Sequence, residues 1–235
     1  MNLKSAYTEY VYETNRPGSN KADSYLHALD YLGPILAANS KDFKQCADLW
    51  QEDSPKLISA LYQYVLEQQR IGNAGIFSDS YKPSYWRSGF YSAALNSYSQ
   101  FLVEFHYGKS LSAVYDEPGI QSFTSDHFEK PIEDIEVLQQ AYPDKKGEDV
   151  VRETKERVNQ QVFRRKVLAI YQNECCITGL DIPQVNRASH IIGWAENEKY
   201  RLDPTNGLCL SATYDAAFDK HLISLDEDYR LILSP

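Results

Sequence analysis

No stretch of this 235-residue sequence approaches the roughly 18 apolar residues that a membrane-crossing helix requires, so no membrane span is expected. The first residues, MNLKSAYTEYVYETNRPG, have neither a basic start nor an apolar core, and no signal peptide is expected. Cysteine is scarce. Four residues, two of them adjacent (Cys175 and Cys176), do not make a disulfide framework, which points to a reducing, cytoplasmic setting. Cations are also in deficit, and a net charge of −9 argues at first sight against nucleic acid, because phosphate binding calls for Lys and Arg. That deficit is local: residues 116–150 carry 3 Lys/Arg against 10 Asp/Glu, while 1–115 and 151–235 each stand at −1. Overall charge is therefore a poor guide to partners.

A hydrophobic fraction of 43% is ordinary for a folded protein, and the length suits one large domain or two small ones. Residues 1–16 are polar with spaced tyrosines, and Pro17-Gly18-Ser19 separates them from the next segment. From Asn20, Ala22, Tyr25, Leu26, Leu29 and Leu32 recur at helical spacing, with Pro34 ending or kinking the helix. Ser54-Pro55 supply an N-cap and a first-turn proline for a second helix, striped by Leu57, Ile58, Leu61, Tyr62, Val65 and Leu66. After a Gly/Ser/Pro-punctuated loop over 73–84, a third helix from about Tyr85 to Tyr107 carries Phe90, Ala94, Leu95, Tyr98, Leu102 and Phe105, closed by Gly108. Aromatics at helical intervals read as core packing ahead of base stacking. The acidic stretch reads as a solvated connector with one short helix, Pro131 to Gln140. The expected class is α+β: an all-helical N-terminal domain over 1–115 with a possible target-recognition role, an acidic linker over 116–149, and a mixed domain over 150–235.

That last domain opens with an amphipathic helix over 150–171. Val151, Val158, Val162, Val167 and Leu168 can face inward, while Arg152, Lys155, Arg157, Arg164, Arg165 and Lys166 form the most basic stretch of the chain. Arg157, Arg164, Arg165 and Lys166 are candidates for phosphate contact, and a merely solvated helix face accounts for them equally well. Beyond Tyr171 the pattern turns to short runs. Ala188–Ile192 and Leu208–Ala212 read as paired strands joined by a long polar loop, and a helix from about Thr213 to Lys220 comes next. Leu222–Leu225 and Arg230–Leu233 read as a terminal hairpin.

This segment collects the side chains that phosphodiester hydrolysis needs: a base for water, a cation on the leaving oxygen and groups that hold both in line. His190 titrates in the right range to be the base. Asp215 and Asp219, at i and i+4, share a helix face and can bind one hard cation together. Asn206 can pin the loop near His190 without titrating, and Gly207 permits a tight entry into the second strand.

The order Cys176-Ile177-Thr178-Gly179-Leu180, Ala188-Ser189-His190-Ile191 with Trp194, Asn206-Gly207-Leu208-Cys209-Leu210, Asp215-Ala216-Ala217-Phe218-Asp219 and Leu222-Ile223 resembles the HNH endonucleases of ββα-metal fold. More narrowly, Phe163–Leu225 is similar to their restriction-type, phage-defence branch. The resemblance implies a metal-dependent DNA endonuclease with His190 as general base and Asn206 as the middle residue of the motif. The third position, commonly histidine, is Asp215. A further ligand some members place four residues later falls on Asp219, and one placed immediately before the base falls on Ser189. Carboxylate in place of imidazole favours one Mg²⁺ or Mn²⁺ ion. Many members also hold a structural zinc on two C-x-x-C pairs. Here Cys175 meets Thr178, and the second pair falls on Ser211 and Tyr214, so no structural zinc is expected and Cys46, Cys176 and Cys209 read as small buried hydrophobes. DNA is the implied partner, and a double-strand break from one such site calls for two copies, leaving a homodimer open. Two other readings stand beside this one: a catalytically degenerate HNH-fold protein that binds DNA or regulates, and an RNA-directed or toxin-type nuclease.

Overall fold

A computed structural model describes residues 2–16, 18–78, 82–115 and 132–234, without the side chains of 114 and 115. The chain divides into two compact units, Met1–His106 with Ile132–Arg152, and Tyr107–Pro131 with Glu153–Pro235. The fold is mostly helical, with small antiparallel sheets near the C-terminus.

The first unit is built from helices. α1 (Leu3–Thr14) occupies the segment that reads as polar, and it is helical because Ala6, Tyr7 and Val11 share a buried face. α2 (Lys21–Asn39) continues through Pro34, so of the two expectations for that proline, an end or a kink, the end does not occur. α3 (Pro55–Ile71) begins as its sequence predicts, with the Ser54 hydroxyl accepting from the Leu57 N–H and Pro55 in the first turn. The third expected helix is broken into α4 (Pro83–Arg87) and α5 (Phe90–Tyr115), with Gly89 between them at φ 74°. Gly108, in the part of α5 from Tyr107 on that belongs to the second unit, does not close the helix. It lies where a Cβ would stand 3.3 Å from Val158 Cγ1, so its small size serves packing. Buried tyrosines fill the core: Tyr7 meets Tyr98 and Phe101 edge-on at 5.1 and 5.3 Å. α6 (Ile135–Ala141) buries Val137 and Leu138, and Gln140 accepts a hydrogen bond from Ser59 on α3. Residues 116–131, the remainder of the expected acidic linker, lie outside the described residues.

In the second unit, α7 (Gly147–Ile170, belonging here from Glu153 on) buries Val158, Val162, Phe163, Val167 and Leu168. A turn leads to β1 (Asn186–His190), a long loop, β2 (Gly207–Ser211) and α8 (Ala212–Asp219). β1 and β2 run antiparallel with Ser189 opposite Leu208 and His190 opposite Gly207. β3 (Ile223–Leu225) and β4 (Leu231–Leu233) form the terminal hairpin. A small core of Phe163, Val167, Leu168, Leu202 and Cys209 lies beneath the first hairpin, with Ala188 and Trp194 packed against it.

Candidate active site

The hairpin is anchored at both ends by side chains that hydrogen-bond to backbone. At the start of β1, the fully buried Asn186 donates through Nδ2 to the carbonyls of Asn173 and Leu180. Arg164 reaches from α7 and donates to the carbonyls of Pro183 (2.7 Å) and Asn186 (2.6 Å). At the other end, Asn206 clamps the long loop. Its Oδ1 accepts from the Ile192 N–H at 2.7 Å, and its Nδ2 donates to the carbonyls of Ile192 and Tyr200. Asn206 is buried and touches neither carboxylate, so its work is to fix the loop that leaves His190.

His190 ends β1. Its Nε2 lies 2.9 Å from the Arg201 carbonyl, and a carbonyl can only accept, so Nε2 carries the proton in the neutral ring. Nδ1 is then the lone-pair nitrogen, and it has no hydrogen-bond partner among the described residues. One face of the imidazole lies flat on Phe163, with centroids 3.8 Å apart and planes 11° apart; Trp194 stands edge-on at 5.6 Å. Burial pulls the His190 pKa below the ordinary imidazole value, opposed by the Arg201 carbonyl and by the charge of Asp219. The ring is therefore held neutral at neutral pH, the state a base needs.

Asp215, half-buried in the first turn of α8, accepts the Ser189 hydroxyl at Oδ1, 2.5 Å away. Ser189 itself is buried, so the residue before His190 sits behind Asp215 and orients it. Asp219, one turn on, is exposed and makes no hydrogen bond or ion pair with the described residues. No group of three or more His, Cys, Asp or Glu able to hold a metal occurs among the described residues. A divalent ion here would rest on two carboxylates, one already oriented and one open. That donor chemistry fits a hard cation that keeps several waters and accepts phosphate oxygens.

The cysteine turn corrects one expectation. Cys175 is the buried thiol, and Cys176 is exposed. Cys175 Sγ accepts from the Ser211 N–H at 3.1 Å, and its own carbonyl accepts from Gly179, which tucks the side chain under β2. Burial works to raise its pKa, but hydrogen bonds from Thr178, Ile177 and Ser211 outweigh that and bring it to about 7. Cys209 and Cys46 are buried as expected.

The candidate phosphate-contacting cations separate by surroundings. Arg164 is engaged by backbone carbonyls as above, Arg165 is exposed, and Arg157 and Lys166 are half-buried with interactions of their own. Two contributors to the site escape a reading by motif. Phe163 is legible only as an apolar residue at i, i+4 from Val167, and the Arg201 carbonyl carries no side-chain signal at all.

Residues 175–226 match the family model described as HNH endonuclease. The chain thus carries an HNH endonuclease domain over those residues, which supports a nuclease with a nucleic acid substrate. No curated protein and no solved structure matches the chain.

Proposed function

We propose that this HNH endonuclease domain, within residues 150–235, hydrolyses DNA phosphodiester bonds with the help of one divalent metal ion, Mg²⁺ or Mn²⁺, and serves restriction or anti-phage defence. The observation that carries the catalytic reading is the Arg201 carbonyl on Nε2 of His190, which leaves Nδ1 as the proton acceptor inside the matched domain.

In this reading, His190 Nδ1 takes a proton from water as the water oxygen attacks the phosphorus and the bond to the leaving 3′ oxygen breaks. The imidazolium so formed keeps its hydrogen bond to the Arg201 carbonyl and is offset by the nearby charge of Asp219. Asn206 holds the loop that carries the Arg201 carbonyl, so the base does not reorient between turnovers. Asp215 and Asp219 would hold the cation. When bound, it supplies charge stabilisation to the phosphate and leaving oxygen. Ser189 keeps Asp215 turned toward that position. Exposed Arg165 is the clearest backbone-phosphate contact on α7. The DNA preference and defence role rest on the motif blocks from Cys176 to Ile223, and target choice falls to the N-terminal helical domain over residues 1–115.

The test is cleavage of supercoiled plasmid with Mg²⁺ or Mn²⁺. Cleavage lost in His190→Ala supports the base assignment, and equal cleavage in that variant overturns it. Duplex DNA, single-stranded DNA and RNA in one buffer decide the substrate.

A further inference from the structure

Imidazole orientation in a strand is softly determined, because the torsion that turns the ring is broad and roughly two-fold. The hydrogen bond from Nε2 to the Arg201 carbonyl fixes one point of the His190 ring and leaves its plane free to rock. Something else must hold the plane if Nδ1 is to present its lone pair in one direction.

We propose that Phe163 is a positioning residue for His190: its ring, flat against the imidazole, fixes the plane in which Nδ1 faces the attacking water. The inference rests on His190 being the base. Three observations support it. The ring centroids are 3.8 Å apart at 11°, a full face-to-face contact, and Trp194 closes a second side edge-on at 82°. Phe163 is itself buried, 1% exposed and packed among Val167, Leu168, Leu202 and Cys209. The residue opposite His190 in the hairpin is Gly207, where a Cβ would lie 2.4 Å from Val167 Cγ2 and 2.9 Å from Phe163 Cζ. The backbone of Gly207 is extended, φ −127°, so no turn requires glycine there. The close approach of α7 requires it, and that approach brings Phe163 under the imidazole. The motif residue Gly207 and the base are thereby linked through an aromatic ring that lies outside the matched segment.

Phe163→Leu keeps an apolar side chain of similar size and removes the flat face. The expected result on supercoiled plasmid with Mn²⁺ is a kcat lower by about ten-fold or more, since small misplacements of a reacting group cost that much, with KM within about two-fold. In a His190→Ala background the same substitution should change the residual rate no further. Imidazole NMR on the full chain should show the same Nε2–H tautomer in both proteins, with sharp His190 ring signals in the wild type and ring signals broadened by motion of the plane in Phe163→Leu. If Phe163→Leu does not fold, Phe163→Met is read in the same way. An unchanged kcat and equally sharp His190 ring signals in a folded variant overturn the proposal. So does a fall of equal size in the His190→Ala background, which marks general destabilisation. Should the wild type show no His190-dependent cleavage, the base assignment fails separately, and the NMR comparison still decides whether Phe163 orients the ring.

Discussion

Ser189 and Asp215, 26 residues apart, are joined by a hydrogen bond from the Ser189 hydroxyl to Oδ1, made from a buried strand position to a half-buried helix position. The serine that precedes His190 is thus a support for the carboxylate. Ser189→Ala should weaken binding of Mn²⁺ by about ten-fold or more, as loss of an outer partner of a metal ligand does, while the fold persists. Calorimetric titration with Mn²⁺ measures this; an unchanged affinity would remove Asp215 from the cation site.

The pH dependence follows from His190. Its folded pKa lies below the ordinary imidazole value, chiefly because of burial. Cleavage should therefore stay on at neutral pH and fall only on the acid side of about 6.5, the unperturbed value. Stability moves the same way: below about 6.5 the unfolded chain takes up the proton more readily, so the contribution complete above that pH is lost as pH falls through the folded pKa. A rate profile and denaturant titrations between pH 5 and 8 check both, and His190→Gln should flatten this part of the stability curve.

Asn206→Ala leaves the Ile192 N–H and the carbonyls of Ile192 and Tyr200 without their partner. A loss of about 1 kcal/mol or more is expected for these part-buried hydrogen bonds, with cleavage reduced because the loop carrying the Arg201 carbonyl loosens. Urea unfolding gives the first quantity. A variant as stable as wild type would contradict the clamp.

Two adjacent arginines should behave oppositely. Arg164→Ala removes charged hydrogen bonds to Pro183 and Asn186 and should cost about 1.5–3 kcal/mol of stability. Arg165 is exposed, and Arg165→Gln should leave the melting temperature unchanged while lowering DNA affinity and reducing the salt slope of binding by about 1. Thermal unfolding and salt-dependent binding to catalytically inactive protein separate the two.

The arginine pair marks where residues alone stop being informative. The strands and the final helix are legible because alternation and helical spacing are local properties, whereas the order His190, Asn206, Asp215 stands out only through its resemblance to the HNH pattern. β1 begins two residues earlier than expected and β2 one, a shift that leaves the pairing intact. α1 escapes a reading by composition since tyrosines score as polar, although their rings fill the core. Arg164 and Arg165 look alike in a basic run, and only the carbonyls of a segment some twenty residues away tell them apart. Cys176, expected to be buried, is exposed while Cys175 is buried, because a turn decides which sulfur faces β2.

The contacts that hold the base and its neighbours close short segments of chain: 11 residues from His190 to Arg201, 14 from Ile192 to Asn206 and 26 from Ser189 to Asp215. Between the shortest and longest of these, the entropy of loop closure differs by only about 0.8 kcal/mol. The expectation is that chain connectivity sets the order of assembly, with hairpin and clamp forming before α8 docks and Asp215 the last of these groups to reach its place. In hydrogen exchange, the amides of Ile191 and Ile192 should be protected earlier during refolding than those of α8.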